Sequence, residues 1–310
     1  MGATQPVREG YIPFRGHRTW YRVVGDLAKV RARMFPLLTL HGGPGACHDY
    51  LESLEAFAET GRPVIFYDQL GCGRSDRPDD PAMWTVELFI DELNTVRSAL
   101  GLERTHLFGQ SWGGMLGMEY ALTRPAGVVS LTIASAPASM RLWVEEANRV
   151  RAELPPETQR TLLTHEAAGT TDDPEYHAAM QVFYDRHVCR VVPNPDYVVR
   201  SFANLGKQVY ETMNGLSEFH VIGTLRDWDI RDRLGEIALP TLLTSGLYDE
   251  LTPMQAQVVH FGIPGNEWEL FKESSHMPHV EEPDRYVGVL DGFLTRIEAD
   301  AAADGRQSRA

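Results

Sequence analysis

Three side chains have the types and the chain order that acyl transfer to a serine nucleophile requires. Ser111 lies in the pentapeptide GQSWG, directly after an apolar run and directly before a helical segment. Asp249 ends the run PTLLTSGLYD, and His276 ends the next such run, EWELFKESSH. A serine needs a base to accept its proton and an acid to orient that base, and Gly-x-Ser-x-Gly between strand and helix is typical of a nucleophile elbow. We predict a catalytic triad of Ser111, His276 and Asp249.

Each of the three residues also has a simpler interpretation. Ser111 could be a harmless polar residue in a tight turn, Asp249 a turn carboxylate that caps a helix, and His276 a loop histidine. His279 is the alternative base, although its offset from the preceding strand is larger. The order of the three residues and their common position after predicted strands favour the catalytic interpretation.

A glycine-rich turn, HGGPG at residues 41–45, follows another apolar run and meets a second requirement of acyl transfer. Backbone N–H groups that point at the developing oxyanion stabilise it, and the amides of Gly43 and Trp112 are the natural donors. The same glycines could serve only to turn the chain, and the two roles are compatible. We interpret His41 as a structural hydrogen-bonding residue beside the turn, not as a second base.

The composition argues against several other classes of function. The chain has 29 basic and 43 acidic side chains and a formal net charge of −14, which disfavours nucleic acid binding. We find no signal-peptide core, no apolar run of membrane-spanning length and no H-E-x-x-H motif. We expect no metal, no cofactor and no membrane contact. Cys47, Cys72 and Cys189 have no metal-binding spacing, so we expect reduced thiols in a cytoplasmic protein.

Short continuous apolar runs alternate with amphipathic helical segments on both sides of a longer helical stretch. The runs that predict strands, mostly buried on both faces of a parallel sheet, are residues 18–25, 36–42, 62–69, 105–111, 128–137, 240–249 and 267–276. The alternation predicts an α/β fold with a doubly wound, mostly parallel sheet. Residues 1–139 and 237–310 would form the core, with a frayed C-terminal tail. Residues 140–236 would form an inserted helical cap over the sheet edge where ligands bind.

Five blocks of the sequence together resemble the proline iminopeptidase family of α/β-hydrolases. They are HGGPGACHDYL, FYDQLGCGRSDRP, GQSWGGMLGMEYA, SGLYDE and SSHMPH, and the likeness extends over nearly the whole chain. Residues 214–230 also resemble the segment near the end of the cap in tricorn-interacting aminopeptidases and L-amino acid amidases. The resemblance implies an α/β-hydrolase fold and a serine exopeptidase or amidase that acts on small substrates with a free N-terminus.

In such enzymes, carboxylates from the cap and from the loop after the acid bind the α-ammonium group of the substrate. The matching residues are Glu218 and Glu250, for which solvated surface charges are the simpler interpretation. Many bacterial prolyl aminopeptidases have a second glycine before the serine; Gln110 at this position resembles the amidase and broad aminopeptidase branch. Some aromatic side chains of the insertion either line an apolar pocket or form the cap core, namely Phe183, Tyr184, Tyr210, Phe219 and Trp228.

These observations predict a serine aminopeptidase or L-amino acid amidase that works through an acyl-enzyme. It would release proline or a small apolar residue from the N-terminus of a short peptide, or hydrolyse an amino acid amide. A carboxylesterase, lactonase or biosynthetic acyltransferase with the same triad is the alternative function, and a non-catalytic binding protein is a third. No feature of the sequence indicates an oligomeric state.

Overall fold

A computed structural model describes residues 5–29 and 34–307, and a sheet of eight strands forms the centre of the molecule. With a separate two-stranded ladder of β7 and β8, the described residues form ten strands, namely β1 (Val7–Phe14), β2 (His17–Val24), β3 (Leu37–Leu40), β4 (Val64–Tyr67), β5 (Thr105–Gln110), β6 (Val128–Ala134), β7 (Gly215–Ser217), β8 (His220–Val221), β9 (Thr241–Gly246) and β10 (Glu267–Phe271). The order in the main sheet is β1-β2-β4-β3-β5-β6-β9-β10. The pairs β1–β2 and β2–β4 are antiparallel and the others are parallel, which confirms the predicted α/β class.

Helices occupy both faces of this sheet and the segment between β6 and β9. They are α1 (Ala56–Glu59), α2 (Val86–Ala99), α3 (Trp112–Leu122), α4 (Met140–Arg151), α5 (Pro156–Ala168), α6 (Pro174–His187), α7 (Asp196–Ala203), α8 (Lys207–Met213), α9 (Pro253–Gly262), α10 (Pro278–Glu281) and α11 (Pro283–Gln307). Within the described ranges, none of them combines the length and the apolar character that crossing a membrane requires.

Alternate residues along the strands pack into two separate hydrophobic clusters, one on each face of the sheet. In β4, Ile65 and Tyr67 belong to one cluster, whereas Val64 and Phe66 belong to the other. Side chains of α2, α3 and α9 complete the first cluster, and side chains of α1 and α11 complete the second. Because both faces of the sheet are covered at its centre, the central strands such as β3 and β4 are buried along their whole length and appear in the sequence as continuous apolar runs.

The loops that follow the parallel strands meet at one edge of the sheet. The glycine-rich turn at 41–45 follows β3, Ser111 follows β5, Asp249 lies in the loop after β9, and His276 lies in the loop after β10. Parallel strands end on the same side of a sheet, so residues far apart in the chain come together there. This edge is the place where the predicted site residues are expected.

The helices α4 to α8 lie over this edge and contact its loops through the backbone. The amide of Gly206 donates to the carbonyl oxygen of Gly45 at 2.7 Å, and the amide of Glu250 donates to the carbonyl oxygen of His187 at 3.2 Å. Gly45 has a φ of +91°, and a side chain there would come within 2.8 Å of the Gly206 oxygen, so only glycine permits this close approach. The division into core and cap at residues 139/140 and 236/237 remains a prediction.

Three details differ from the sequence-based expectations. Strand β1, at the sheet edge, was not predicted, because most of its residues are exposed and give no continuous apolar run. The two-stranded ladder of β7 and β8 lies inside the segment for which no strand was expected, since strands of three and two residues show no periodicity. The last helix continues to Gln307, beyond the start of the tail that was predicted to fray; residues 308–310 lie outside the described residues.

Candidate active site

Ser111 lies on a sharp turn that its neighbours make possible. Its φ of 55° and ψ of −124° are unusual for a residue with a side chain, and it directly follows β5 and precedes α3. A side chain at Gly109 would collide with the carbonyl oxygen of Gly113, and one at Gly113 would collide with that of Leu40. The amide of Ser111 donates to the carbonyl oxygen of Ala134 at 2.8 Å, which fixes the turn to β6. The two glycines therefore allow the close packing that exposes the serine at the sheet edge.

Asp249 and His276, which the sequence places 27 residues apart, form a buried hydrogen bond. The distance from His276 Nδ1 to Asp249 Oδ1 is 2.7 Å, and the same carboxylate oxygen accepts a 2.8 Å hydrogen bond from the amide of Leu251. Burial acts to lower the pKa of His276, but the charge of Asp249 and its hydrogen bond outweigh burial and raise this pKa above the usual value. This carboxylate can orient the imidazole and stabilise its protonated form.

A second carboxylate fixes the loop that contains the histidine. Glu281, in α10, accepts hydrogen bonds from the Ser275 amide at 2.8 Å, the Ser275 hydroxyl at 2.7 Å and the Met277 amide at 3.4 Å. These partners lie immediately before and after His276 in the chain. Sequence reasoning did not identify Glu281, because nothing in the pattern PHVEE indicates that its side chain turns back to the preceding loop.

The glycine-rich turn lies directly beside the nucleophile. A side chain built at Gly42 would approach the Cβ atom of Ser111 to 3.0 Å, and Gly43 has a φ of +111°, which favours glycine. Trp112 is the first residue of α3, so its amide has no acceptor within the helix. The glycine turn and the first residue of α3 thus both lie next to Ser111, and an oxyanion hole formed by the amides of Gly43 and Trp112 remains a prediction.

Gln69, in the block DQLGCGRS at residues 68–75, forms hydrogen bonds to both the glycine-rich turn and the nucleophile elbow. The side chain of Gln69 donates to the carbonyl oxygen of His41 at 3.0 Å and accepts from the indole N–H of Trp112 at 2.9 Å. His41 Nε2 accepts from the Gln69 amide at 2.9 Å, and burial lowers the pKa of His41 to about 4. His41 is therefore a neutral, structural histidine, as predicted.

A cavity of about 450 Å³ lies between the sheet edge and the helices above it. Five of the predicted site residues line it, namely Gly43, Ser111, Glu218, Glu250 and His276. No hydrogen bond joins the hydroxyl of Ser111 to His276 in the described part of the chain. Such contacts often form only when substrate is bound. The remaining wall is largely apolar and aromatic, with Tyr176, Met180, Tyr184, Val188, Phe202, Leu205, Tyr210, Leu216 and Met277 among its residues.

Glu218 and Glu250 bring two carboxylates close to the histidine. Tyr210 donates its hydroxyl to Glu218 Oε1 at 2.7 Å, and Glu250 Oε1 lies 3.7 Å from His276 Nε2. Glu250 is buried, and its other oxygen, Oε2, has no hydrogen-bond partner. Burial, and then the charges of Glu218 and Asp249, raise the pKa of Glu250 well above the usual value. A buried carboxylate without a partner favours a cation, because an unpaired charge is costly to bury.

The tryptophan of α4 contacts both the backbone of Glu218 and the base. The indole N–H of Trp143 donates to the carbonyl oxygen of Glu218 at 2.7 Å, and its ring lies edge-on to the imidazole of His276 with centroids 5.9 Å apart. Trp143 was not identified from the sequence, because an amphipathic helix gives the same pattern whether its aromatic residue faces a core or a site.

The aromatic residues predicted for the insertion divide between the two interpretations. Tyr184 and Tyr210 line the cavity. Phe183 and Phe219 are buried against each other with ring centroids 5.1 Å apart, and the indole of Trp228 donates to Glu119 at 2.8 Å. Only two of the five therefore face the cavity, and the other three stabilise the surrounding structure.

His279, the alternative base, is buried among aromatic rings. The centroids of Tyr50, Tyr286 and Phe108 lie 5.7, 5.8 and 6.3 Å from the centroid of its imidazole. Burial lowers the pKa of His279 to about 3, so this imidazole stays neutral and is a very weak base. The structure favours His276 over His279 as the proton acceptor.

Among the residues that the structure describes, two clusters outside the cavity have spacings that could hold a metal ion, namely His48, Asp49 and Glu52, and His165, Asp173 and Glu175. In the first, the guanidinium of Arg200 already binds Asp49 at 3.1 Å and Glu52 at 2.7 Å. In the second, the carboxylates are exposed. Neither cluster includes a residue of the predicted triad.

Comparison with known proteins gives consistent matches. Residues 36–283 match the family model described as the alpha/beta hydrolase fold. The chain is 41% identical over 292 residues to a proline iminopeptidase of Clostridium botulinum, covering 94% of this chain and 99% of that protein. The crystal structure of the proline iminopeptidase of Mycobacterium smegmatis has a TM-score of 0.88 and 46% identity, covering 95% of this chain and 100% of that one. The crystal structure of VinJ has a TM-score of 0.90 and 48% identity, covering 94% and 99%.

Proposed function

This chain belongs to the alpha/beta hydrolase fold family and, within it, to the proline iminopeptidases, and we propose that it is a serine aminopeptidase that releases an N-terminal proline or small apolar residue. One observation supports this proposal above the others. Glu218, which is half-buried, and Glu250, which is buried, lie beside His276 in the cavity that Ser111 lines, so a free amine bound there places the first carbonyl of a peptide near the serine. Amino acid amides have the same amine and carbonyl and are the second class of substrate.

The first half of the reaction forms an acyl-enzyme. Ser111 Oγ attacks the carbonyl carbon of the first residue, and His276 Nε2 accepts the hydroxyl proton. Asp249 orients the imidazole through Nδ1 and stabilises the imidazolium that forms. The amides of Gly43 and Trp112 stabilise the negative charge that develops on the carbonyl oxygen. The bond between carbon and nitrogen then breaks, and His276 returns the proton to the leaving amine.

The second half restores the enzyme. A water molecule gives one proton to His276 and attacks the ester carbon of the acyl-enzyme. The bond to Ser111 Oγ breaks, and the proton returns to this oxygen, so the products are the free amino acid and the unchanged serine. The carboxylate pair holds the α-ammonium group during both halves, which limits release to one residue per binding event.

The sequential release of residues from a short peptide tests this proposal. We expect Pro-Ala-Phe incubated with the protein to yield free proline and Ala-Phe first, as identified by mass spectrometry. Matched p-nitroanilides, amides and p-nitrophenyl esters of proline and alanine would rank the substrates. Internal cleavage, or hydrolysis of esters alone, would contradict the proposal and favour the esterase, lactonase or acyltransferase alternative.

Removing either carboxylate of the pair should weaken recognition of the free amine. We expect Glu218→Gln and Glu250→Gln each to lower kcat/KM for L-prolyl p-nitroanilide about 100-fold, because truncating one partner of a buried charge pair costs about 2–5 kcal/mol. Glu211→Gln is the matched control, because Glu211 also lines the cavity but is exposed and already pairs with Lys207. Equal effects of the three substitutions would show that the pair does not bind the amine.

The acid limb of the reaction should lie above the usual pKa of histidine. His276 accepts a proton only when neutral. Burial acts to lower its pKa, but the opposing effect of Asp249 is larger, so the pKa lies above 6.5. Labelling of Ser111 by a fluorophosphonate, which has no amine, should therefore become faster with increasing pH, with a midpoint above 6.5. Glu218 also raises the pKa of His276, so Glu218→Gln should move this midpoint to lower pH. If Glu218→Gln does not change this midpoint, the acid limb does not report the protonation of His276.

A cytoplasmic location is part of the proposal and rests on the thiols. Cys47, Cys72 and Cys189 are free and buried in the structure. Free thiols are typical of a reducing compartment.

A further inference from the structure

The residue immediately before the nucleophile has a buried carboxamide with both of its ends in use. Gln110 is 2% exposed, and its Oε1 accepts a hydrogen bond of 2.6 Å from the hydroxyl of Tyr50. Its Nε2 donates to the backbone carbonyl oxygen of His276 at 3.0 Å. One side chain thus connects the nucleophile elbow with the loop of the base, across 166 residues of sequence.

The chain of hydrogen bonds continues to the glycine-rich turn. The hydroxyl of Tyr50 accepts a 2.7 Å hydrogen bond from the amide of Gly42, the residue before Gly43. Because this hydroxyl accepts from Gly42, its own proton is directed to Gln110, which fixes Oε1 toward Tyr50 and Nε2 toward His276. The donor and acceptor of each hydrogen bond are therefore fixed. The Gly42 amide donates to Tyr50, the Tyr50 hydroxyl donates to Gln110, and the Gln110 NH₂ group donates to the base loop.

The packing around Gln110 leaves little room for rearrangement. A Cβ atom built at Gly42 would lie 2.8 Å from Gln110 Oε1 and 3.1 Å from the hydroxyl of Tyr50. Tyr50 is 3% exposed and His276 is 4% exposed, so water has little access to replace a lost bond. A buried polar group that loses its partner is costly, and neighbouring segments would shift to satisfy it.

We propose that Gln110 is a positioning residue that, through Tyr50 and the His276 carbonyl, fixes the glycine turn and the base loop relative to Ser111. The proposal rests on the roles given above to Ser111, His276 and Gly43. Gln110 and Tyr50 also line the cavity, but both ends of the carboxamide are bonded to protein atoms, so we assign Gln110 no hydrogen bond to the substrate. It acts by keeping the oxyanion donor and the imidazole in place, and misplacement of such groups by about 1 Å can lower a rate about 100-fold.

Two variants break this network at different points. Gln110→Met keeps the approximate length of the side chain and removes both hydrogen bonds. Tyr50→Phe keeps the ring and removes only the hydroxyl. Ser130→Ala is the control, because its hydroxyl makes a buried 2.7 Å hydrogen bond with His106 and Ser130 does not line the cavity. The control reports what the loss of a buried hydrogen bond does to stability alone.

The rate of Ser111 labelling by a fluorophosphonate is the main readout, because this probe needs the nucleophile, the base and the oxyanion donors but no amine site. We expect each variant to be labelled about 30- to 100-fold more slowly, and Ser130→Ala within about threefold of the parent. The double variant should be no slower than either single variant, since one network is broken only once. With L-prolyl p-nitroanilide, kcat should fall and KM should stay within about threefold.

Three results would overturn the proposal. They are labelling rates within threefold of the parent, effects that multiply in the double variant, or a loss of rate in Ser130→Ala equal to that in Tyr50→Phe. If Gln110→Met does not fold, Tyr50→Phe decides alone, because it removes a single oxygen atom. A failure of the aminopeptidase function is distinguishable, since it would appear as equal hydrolysis of free and blocked amines while labelling still depended on Gln110.

Discussion

Replacing Ser111 by alanine should lower kcat by a factor of about 10⁵ or more, because the proposed acyl-enzyme forms on the hydroxyl that this change removes. The change removes a single oxygen atom from a partly buried side chain, so the melting temperature should move by no more than a few degrees. Steady-state hydrolysis of L-prolyl p-nitroanilide, with the variant purified free of parent enzyme, measures the effect.

Ser135→Ala is a closely matched control for this substitution. Ser135 is also a serine with positive φ, at 49°, and it directly follows β6 at the same edge of the sheet. It is fully buried, and its hydroxyl has no hydrogen-bond partner. We expect Ser135→Ala to retain activity within about threefold. Turnover by Ser111→Ala comparable to that of Ser135→Ala would remove the basis of the mechanism.

Replacing Asp249 by asparagine should have the second largest effect, a loss of about 10⁴ in kcat. Asp249 Oδ1 accepts both from the amide of Leu251 and from His276 Nδ1, so an asparagine oxygen in the same place would keep both hydrogen bonds. The substitution removes the negative charge that stabilises the imidazolium. If the amide turns so that its NH₂ group faces Nδ1, it also favours the tautomer with the proton on Nε2, which cannot accept the proton of Ser111. Either arrangement weakens the base although the backbone geometry is kept.

The pH dependence separates this explanation from a general disturbance of the site. Asp249 raises the pKa of His276 against the opposing effect of burial, so Asp249→Asn should move the acid limb of Ser111 labelling to lower pH. Asp76→Asn, which removes a carboxylate that pairs with Arg18 outside the cavity, should leave both the rate and the limb unchanged. A loss of less than about tenfold in Asp249→Asn would contradict the assignment of the acid.

Much of the fold is predictable from the sequence, because burial on both faces of the sheet makes the central parallel strands largely apolar. The runs that became β3, β4, β5 and β9 were identified for this reason. Strand β1 escaped the same reasoning because an edge strand buries little of its surface. Strands β3, β4, β5 and β9 were thus predictable because all of their residues are buried.

The candidate site was predictable where a single position requires a particular residue type. Gly109 and Gly113 are needed for close packing at the elbow. Asp249 and His276 follow strands that end at the same edge of the sheet as the elbow. Residues that act through distant partners were not predictable. Gln110 was noted only as a departure from a family pattern, and its contact with Tyr50, 60 residues away, depends on tertiary packing that no local pattern encodes.

The sequence also did not predict which helical side chains face the cavity. Phe183 and Tyr184 are adjacent in the chain, but Tyr184 lines the cavity and Phe183 is buried in the core. The apolar wall also includes Tyr176 and Phe202, which the sequence did not distinguish from residues of the helical core. Which face of a helix turns to a cavity depends on how the helices pack over the sheet, and that packing is a property of the whole fold.

The most direct test of the account compares kcat/KM for L-prolyl p-nitroanilide and for its N-acetyl derivative. The two substrates share the scissile bond and the leaving group, and they differ in the charge that Glu218 and Glu250 would bind. The account predicts that the free amine is hydrolysed at least about 10³-fold more efficiently, because acetylation leaves the two carboxylates without a cation and adds a group with no place beside them. Equal efficiency for the two substrates would contradict it and would identify the protein as a hydrolase that does not recognise the amine.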